Sequence, residues 1–126
     1  MAEAGVMEFN ITNLQPISQY QYLSSNKKWV TKRGKAWMTE YKKQLTEQME
    51  INNYSKLDSE NIKCEIELTF CNRRKNDIDN GIKQIFDGME DIVFTNDRYI
   101  THLVATKKYQ KKEEGMCCIK ITITPQ

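Results

Sequence analysis

Hydrophobic positions along the chain change period in a definite order. Val6–Ile11 alternates, with Phe9 and Ile11 on one face and Glu8 and Asn10 on the other, which predicts a strand. A polar loop follows over 13–28, containing Pro16, Tyr20 and Tyr22. From Arg33 to Glu50 the spacing shifts to that of a helix: Trp37, Tyr41, Leu45 and Met49 recur every four residues and line one side, with Thr31 placed to cap the start. Asn52–Ser59 reads as a turn-rich linker. Ile62–Phe70 then alternates cleanly, Ile62, Cys64, Ile66, Leu68 and Phe70 facing in and Lys63, Glu65, Glu67 and Thr69 facing out.

A second helix is predicted over about Asn80–Glu90, where Ile82, Ile85, Phe86 and Met89 share a face. Tyr99–Tyr109 reads as a strand, 110–115 as a charged turn, and Met116–Thr124 as a last strand burying Cys117, Ile119, Ile121 and Ile123. These last two strands are expected to form a hairpin. No repeat, low-complexity tract or internal boundary interrupts the 126 residues, so one domain covering 1–126 is expected. The order β-α-β-α-β-β predicts an α+β fold: a small mixed sheet with two main helices packed on it.

Charge sharpens the picture. The net +2 conceals a segregation. Lys27, Lys28, Lys32, Arg33, Lys35, Lys42 and Lys43 face Glu40 alone, a local +6, which leaves −4 for the rest of the chain. Arg73, Arg74 and Lys75 form a second basic cluster, and Lys107, Lys108, Lys111 and Lys112 a third. Between them, Asp77, Asp79, Asp87, Glu90, Asp91 and Asp97 are interrupted by one base, Lys83. Solvated faces would explain any single run. Cations flanking a compact acidic segment are what a nuclease needs, to hold phosphates and the metal that attacks one.

The longest apolar run, Ile92–Phe94, is far too short to cross a membrane, and Met1–Phe9 lacks the basic start of a secretory signal, so a soluble cytoplasmic protein is expected. Cys64, Cys71, Cys117 and Cys118 show no framework spacing and are expected to be free thiols in a reducing compartment. His102 is the only histidine, and its spacing to them fits no zinc pattern; it is expected to be a strand residue.

Asp77-Ile78-Asp79-Asn80 stands where a strand hands over to a helix. In extended chain, residues two apart project to one side, so the two carboxylates converge. Their repulsion is relieved by a divalent cation, and hard oxygen ligands suit Mg²⁺ or Mn²⁺. An EF-hand does not fit: counted from Asp77, Gly81 is fifth and Gly88 twelfth, where that loop needs glycine sixth and glutamate twelfth. Asp79, Lys83 and Asp87 follow at i, i+4 and i+8 and continue the site along the helix. Lys83 can neutralise a scissile phosphate or simply pair with Asp87; the spacing allows both. Asp97 closes an apolar stretch and can return a third carboxylate to the metal. The competing reading is a capping aspartate amid surface acids.

Arg73-Arg74-Lys75-Asn76-Asp77-Ile78-Asp79-Asn80, followed by Lys83, Asp87 and Asn96-Asp97, resembles the RusA-type Holliday junction resolvases. The resemblance implies a homodimeric, Mg²⁺-dependent endonuclease that nicks four-way DNA junctions in recombination and repair. It assigns metal binding to Asp77, Asp79 and Asp97 and the essential lysine to Lys83, with Asn80 and Asp87 supporting them from behind. This chain has Asn96-Asp97 where family members often carry Asp-Asp, and its Gln15–Tyr20 segment matches the usual Pro- and Asn-rich loop loosely. Lys27, Lys28, Lys32, Arg33, Lys35, Arg73 and Arg74 are the expected phosphate contacts. Tyr20, Tyr22 and Trp29 either stack on unpaired bases or pack. The alternatives are a non-catalytic basic nucleic-acid-binding module and, further off, a dimeric interaction protein with no nucleic-acid role.

Overall fold

A computed structural model describes residues 5–17, 22–24, 29–71, 78, 81–110 and 117–126. The elements are β1 (Met7–Thr12), α1 (Lys32–Ile51), β2 (Ile62–Phe70), α2 (Ile82–Met89), β3 (Ile100–Tyr109) and β4 (Cys118–Pro125). A single 3-10 turn, Asp97–Tyr99, precedes β3. Thr31 caps α1 as its position predicts, its Oγ1 accepting from the Gly34 amide at 3.0 Å. The start of α2 is described only from Gly81, so an earlier beginning at Asn80 lies outside the described residues.

The strands form one mixed sheet in the order β1-β4-β2-β3. β4 lies antiparallel between β1 and β2, while β3 runs parallel to β2. The expected β3–β4 hairpin is therefore not made. Parallel neighbours need a long crossover, and the chain between β2 and β3 supplies one that contains α2. β3 then sits on the far side of β2 from β4.

The alternating residues meet in rows. Met7, Ile123 and Cys64 lie side by side across the strands, as do Phe9, Ile121 and Ile66, and Ile11, Ile119 and Leu68. Both helices cover this face: Trp37, Tyr41 and Leu45 of α1 and Ile85 and Met89 of α2 are buried against it. Each such side chain removed from water contributes about 1.5–3 kcal/mol. Cys117, expected to be buried, lies just before β4 and is only half-buried.

The helices touch through one close approach. A Cβ on Gly88 would lie 2.3 Å from Tyr41 Cε2, so only glycine lets α2 come this near α1. The fully buried Tyr41 hydroxyl donates to the Ile85 carbonyl at 2.8 Å, and burial, with Cys64 second, raises its pKa well above the usual tyrosine value. This contact fixes the helix that carries Lys83.

Candidate active site

α2 presents its apolar side to the core and leaves Lys83 and Asp87, one turn apart, on the exposed side. The Lys83 ammonium donates to Asp87 Oδ1 at 2.7 Å and lies 3.9 Å from Asp97 Oδ2. Lys83 thus pairs with Asp87, as its spacing allows, and also lies beside Asp97. The hydrogen bond to Asp87 raises the Lys83 pKa; partial burial opposes this, and the charges of Asp87, Asp97 and Glu90 add to the rise. Lys83 is consequently a fixed positive charge at neutral pH and not a proton acceptor.

Asp97 is held from behind. Val93 and Phe94 are fully buried, and the segment is tied to the linker after α1: Leu57 N donates to the Val93 carbonyl at 2.8 Å, and Thr95 N donates to the Leu57 carbonyl at 3.0 Å. Asn96 then caps the 3-10 turn, its Oδ1 accepting from the Arg98 amide at 3.0 Å. Setting Asn96 against the family's usual aspartate did not bring out this role. The signal was available, because asparagine one residue before a turn is a capping residue.

Arg98 was also missed. It is exposed next to Asp97, with its guanidinium 5.4 Å from the Tyr99 ring centroid, a cation beside the candidate site. Asp77, Asp79, Asn80, Arg73 and Arg74 lie outside the described residues, as do Lys27, Lys28 and Tyr20. Among the described residues no group of three or more metal-ligating side chains gathers. The described donors, Asp97 and Asp87, share a cation in Lys83 and offer only hard oxygen, which fits Mg²⁺ or Mn²⁺ better than a thiophilic metal.

Lys32, Arg33 and Lys35 are exposed in the first turn of α1, which contains no acid. Cations there oppose the helix dipole, an unfavourable placement that a bound phosphate would relieve. Trp29, just upstream, is 62% exposed. Tyr22 instead packs: its carbonyl accepts from the Thr31 amide at 2.9 Å, and its ring borders Gly34. Burial, and then the charge of Asp87, raises its pKa.

The cysteines among these residues carry no disulfide. Burial, followed by the charge of Glu65, pushes the Cys64 thiol up to about 12, which makes it unreactive near neutral pH. His102 lies in β3, as expected. No helix among the described residues is long and apolar enough to cross a membrane.

A family model, Endodeoxyribonuclease RusA, matches residues 13–124, which takes in every described element except β1 and the last residue of β4. The chain belongs to the RusA family. A curated relative, the crossover junction endodeoxyribonuclease RusA of Aquifex aeolicus (strain VF5), is 43% identical over 56 residues. That match covers 44% of this chain and 44% of the relative. The mixed sheet with two helices agrees with the α+β class read from the sequence of this RusA-family chain.

Proposed function

We propose that this chain is a Mg²⁺-dependent endonuclease that, as a homodimer, resolves four-way DNA junctions during recombination and repair in the cytoplasm. The observation that carries the reading is the approach of Lys83 Nζ to Asp97 Oδ2, 3.9 Å, within a RusA-family chain. These residues come from separate elements, and their meeting unites the essential-lysine and carboxylate roles that the resemblance assigns.

Asp97, with Asp77 and Asp79, would hold the metal. A bound Mg²⁺ or Mn²⁺ supplies Lewis acidity to the scissile phosphate and lowers the pKa of an attacking water. Lys83 contributes a positive charge where the pentacovalent phosphate gains negative charge. Asp87 orients that ammonium by its hydrogen bond. Lys32, Arg33 and Lys35 hold the DNA backbone, joined by Lys27, Lys28, Arg73 and Arg74, and exposed Trp29 offers a ring to an unstacked base. A two-fold dimer would present equivalent sites to opposed strands of the junction.

The test is cleavage of a mobile four-way junction and of linear duplex, each with and without Mg²⁺. The reading expects nicks in the junction alone and only with the metal. Binding unaffected by EDTA, with no cleavage under either condition, would favour the non-catalytic module.

A further inference from the structure

Three cysteines distant in sequence or nearly so come together at one end of the sheet. β2 and β4 run antiparallel, and their ladder ends with Thr69 opposite Cys118. Carried one residue further, that register sets Cys117 opposite Phe70, next to Cys71. Cys71 directly follows β2 and bends away from the ladder, while Cys117 directly precedes β4. There the Cys117 thiol is in hydrogen-bond contact with that of Cys71. Both residues are half-buried, so a small solute can reach them.

The other two cysteines are placed differently. Cys64 is fully buried in the core, out of reach of an oxidant. Cys118 lies across from Thr69, with Lys108 nearby. Cys71 and Cys117 are thus the pair that adjoining strands bring into contact.

We propose that Cys71 and Cys117 are a redox-modification site, closing reversibly into an intrachain disulfide that ties the end of β2 to the start of β4. Neighbouring strands lie about 4.7–4.9 Å apart, within the roughly 4.4–6.8 Å between Cα atoms that a disulfide spans, so the backbone need move little. The loop so closed contains α2, the 3-10 turn and β3, and with them Lys83 and Asp97. A link across a long loop stabilises the fold by restricting the unfolded chain. In a reducing compartment the pair rests as thiols and closes when a small-molecule disulfide accumulates.

That small disulfide, RSSR, is the oxidant. One protein thiolate attacks it, forming a mixed disulfide and expelling RS⁻. The second protein thiolate attacks the protein sulfur of the mixed disulfide, and another RS⁻ leaves. Two protein thiols and one RSSR become one protein disulfide and two RSH, which take up the two protons. Burial, then the charge and hydrogen bond of Cys71, raise the Cys117 pKa, so closure should quicken as pH rises.

This inference stands whether or not the chain cleaves DNA, and its test needs neither DNA nor metal. The reduced full chain is treated with oxidised glutathione, and its thiols are counted in denaturant beside its intact mass. The count should fall from four to two, with a mass lower by two hydrogens, and dithiothreitol should restore four. The oxidised chain should also unfold at a higher denaturant concentration than the reduced one. Cys118→Ser should close the link as the wild type does, whereas Cys71→Ser and Cys117→Ser should yield at most glutathione adducts. A wild-type chain that keeps four thiols or carries only glutathione adducts would overturn the proposal. So would a link that forms in Cys117→Ser or fails in Cys118→Ser.

Discussion

Lys83 and Asp97 belong to different elements, yet Nζ and Oδ2 lie 3.9 Å apart across the space between α2 and the 3-10 turn. The approach depends on two independent supports. Gly88 and Tyr41 set α2 against α1, while Leu57 and the Asn96 cap hold the Asp97 segment. Replacing Lys83 by alanine removes the charge without disturbing either support. Junction cleavage should fall on the order of 10²–10³-fold, the usual effect of losing one group that stabilises transition-state charge. Single-turnover rates at saturating DNA measure it, and a rate near wild type would remove Lys83 from the chemistry.

Asp87→Asn should lower the Lys83 pKa, since the hydrogen bond to Asp87 is the largest cause of its rise. A raised lysine pKa means stability that is full below the unfolded value, about 10.4, and lost as pH climbs through the folded one. The wild type should therefore exceed Asp87→Asn in stability near neutral pH, with the gap closing in alkali. The Lys83 side chain is 68% exposed, so the gap stays within about 0–1 kcal/mol. Denaturant melts at several pH values, alongside NMR titration of the Lys83 side chain, check both parts.

Changing Lys32 and Arg33 together to alanine removes two exposed cations from the first turn of α1. Junction affinity should drop and the slope of log K against log salt should flatten by about 2, roughly one for each lost phosphate contact. Helix stability should hold or rise slightly, because cations at that end oppose the dipole. Electrophoretic shifts over a salt series provide the measurement.

Gly88→Ala forces a methyl group into Tyr41, and overpacking of this kind costs about 1–3 kcal/mol. Cleavage should suffer as well, because α2 must move away and takes Lys83 with it. Tyr41→Phe, which keeps the ring and loses only the bond to the Ile85 carbonyl, should cost less, about 0.5–1.5 kcal/mol. Thermal or denaturant unfolding ranks the two variants.

Much of this was readable along the chain. β2 alternates from Ile62 to Leu68, although Thr69, expected to face out, is buried, and α1 repeats Trp37, Tyr41 and Leu45 on one side, so period alone located both. The pairing of β3 was not readable. Its order, Ile100-Thr101-His102-Leu103-Val104-Ala105, has no period of two, as befits a strand exposed on both faces, and nearness in sequence suggested β4 as its neighbour. The pair Gln44 and Gln48, whose side chains bond the Thr12 and Asn10 backbone along the β1 edge, was invisible for a related reason: two polar residues one turn apart look like any solvated helix face. At the candidate site, spacing brought Lys83 to Asp87 but could not bring either to Asp97, since that meeting depends on how α2 packs.

The most direct measurement is cleavage of a mobile four-way junction by Asp97→Asn beside the wild type, over a range of Mg²⁺ concentrations, with junction binding followed in parallel. The wild type should nick opposed strands in a Mg²⁺-dependent manner. Asp97→Asn should bind the junction at least as tightly, having shed a negative charge that faces phosphate, and leave it uncut at every Mg²⁺ concentration. Cleavage by Asp97→Asn at the wild-type rate and with the wild-type Mg²⁺ dependence would contradict the account.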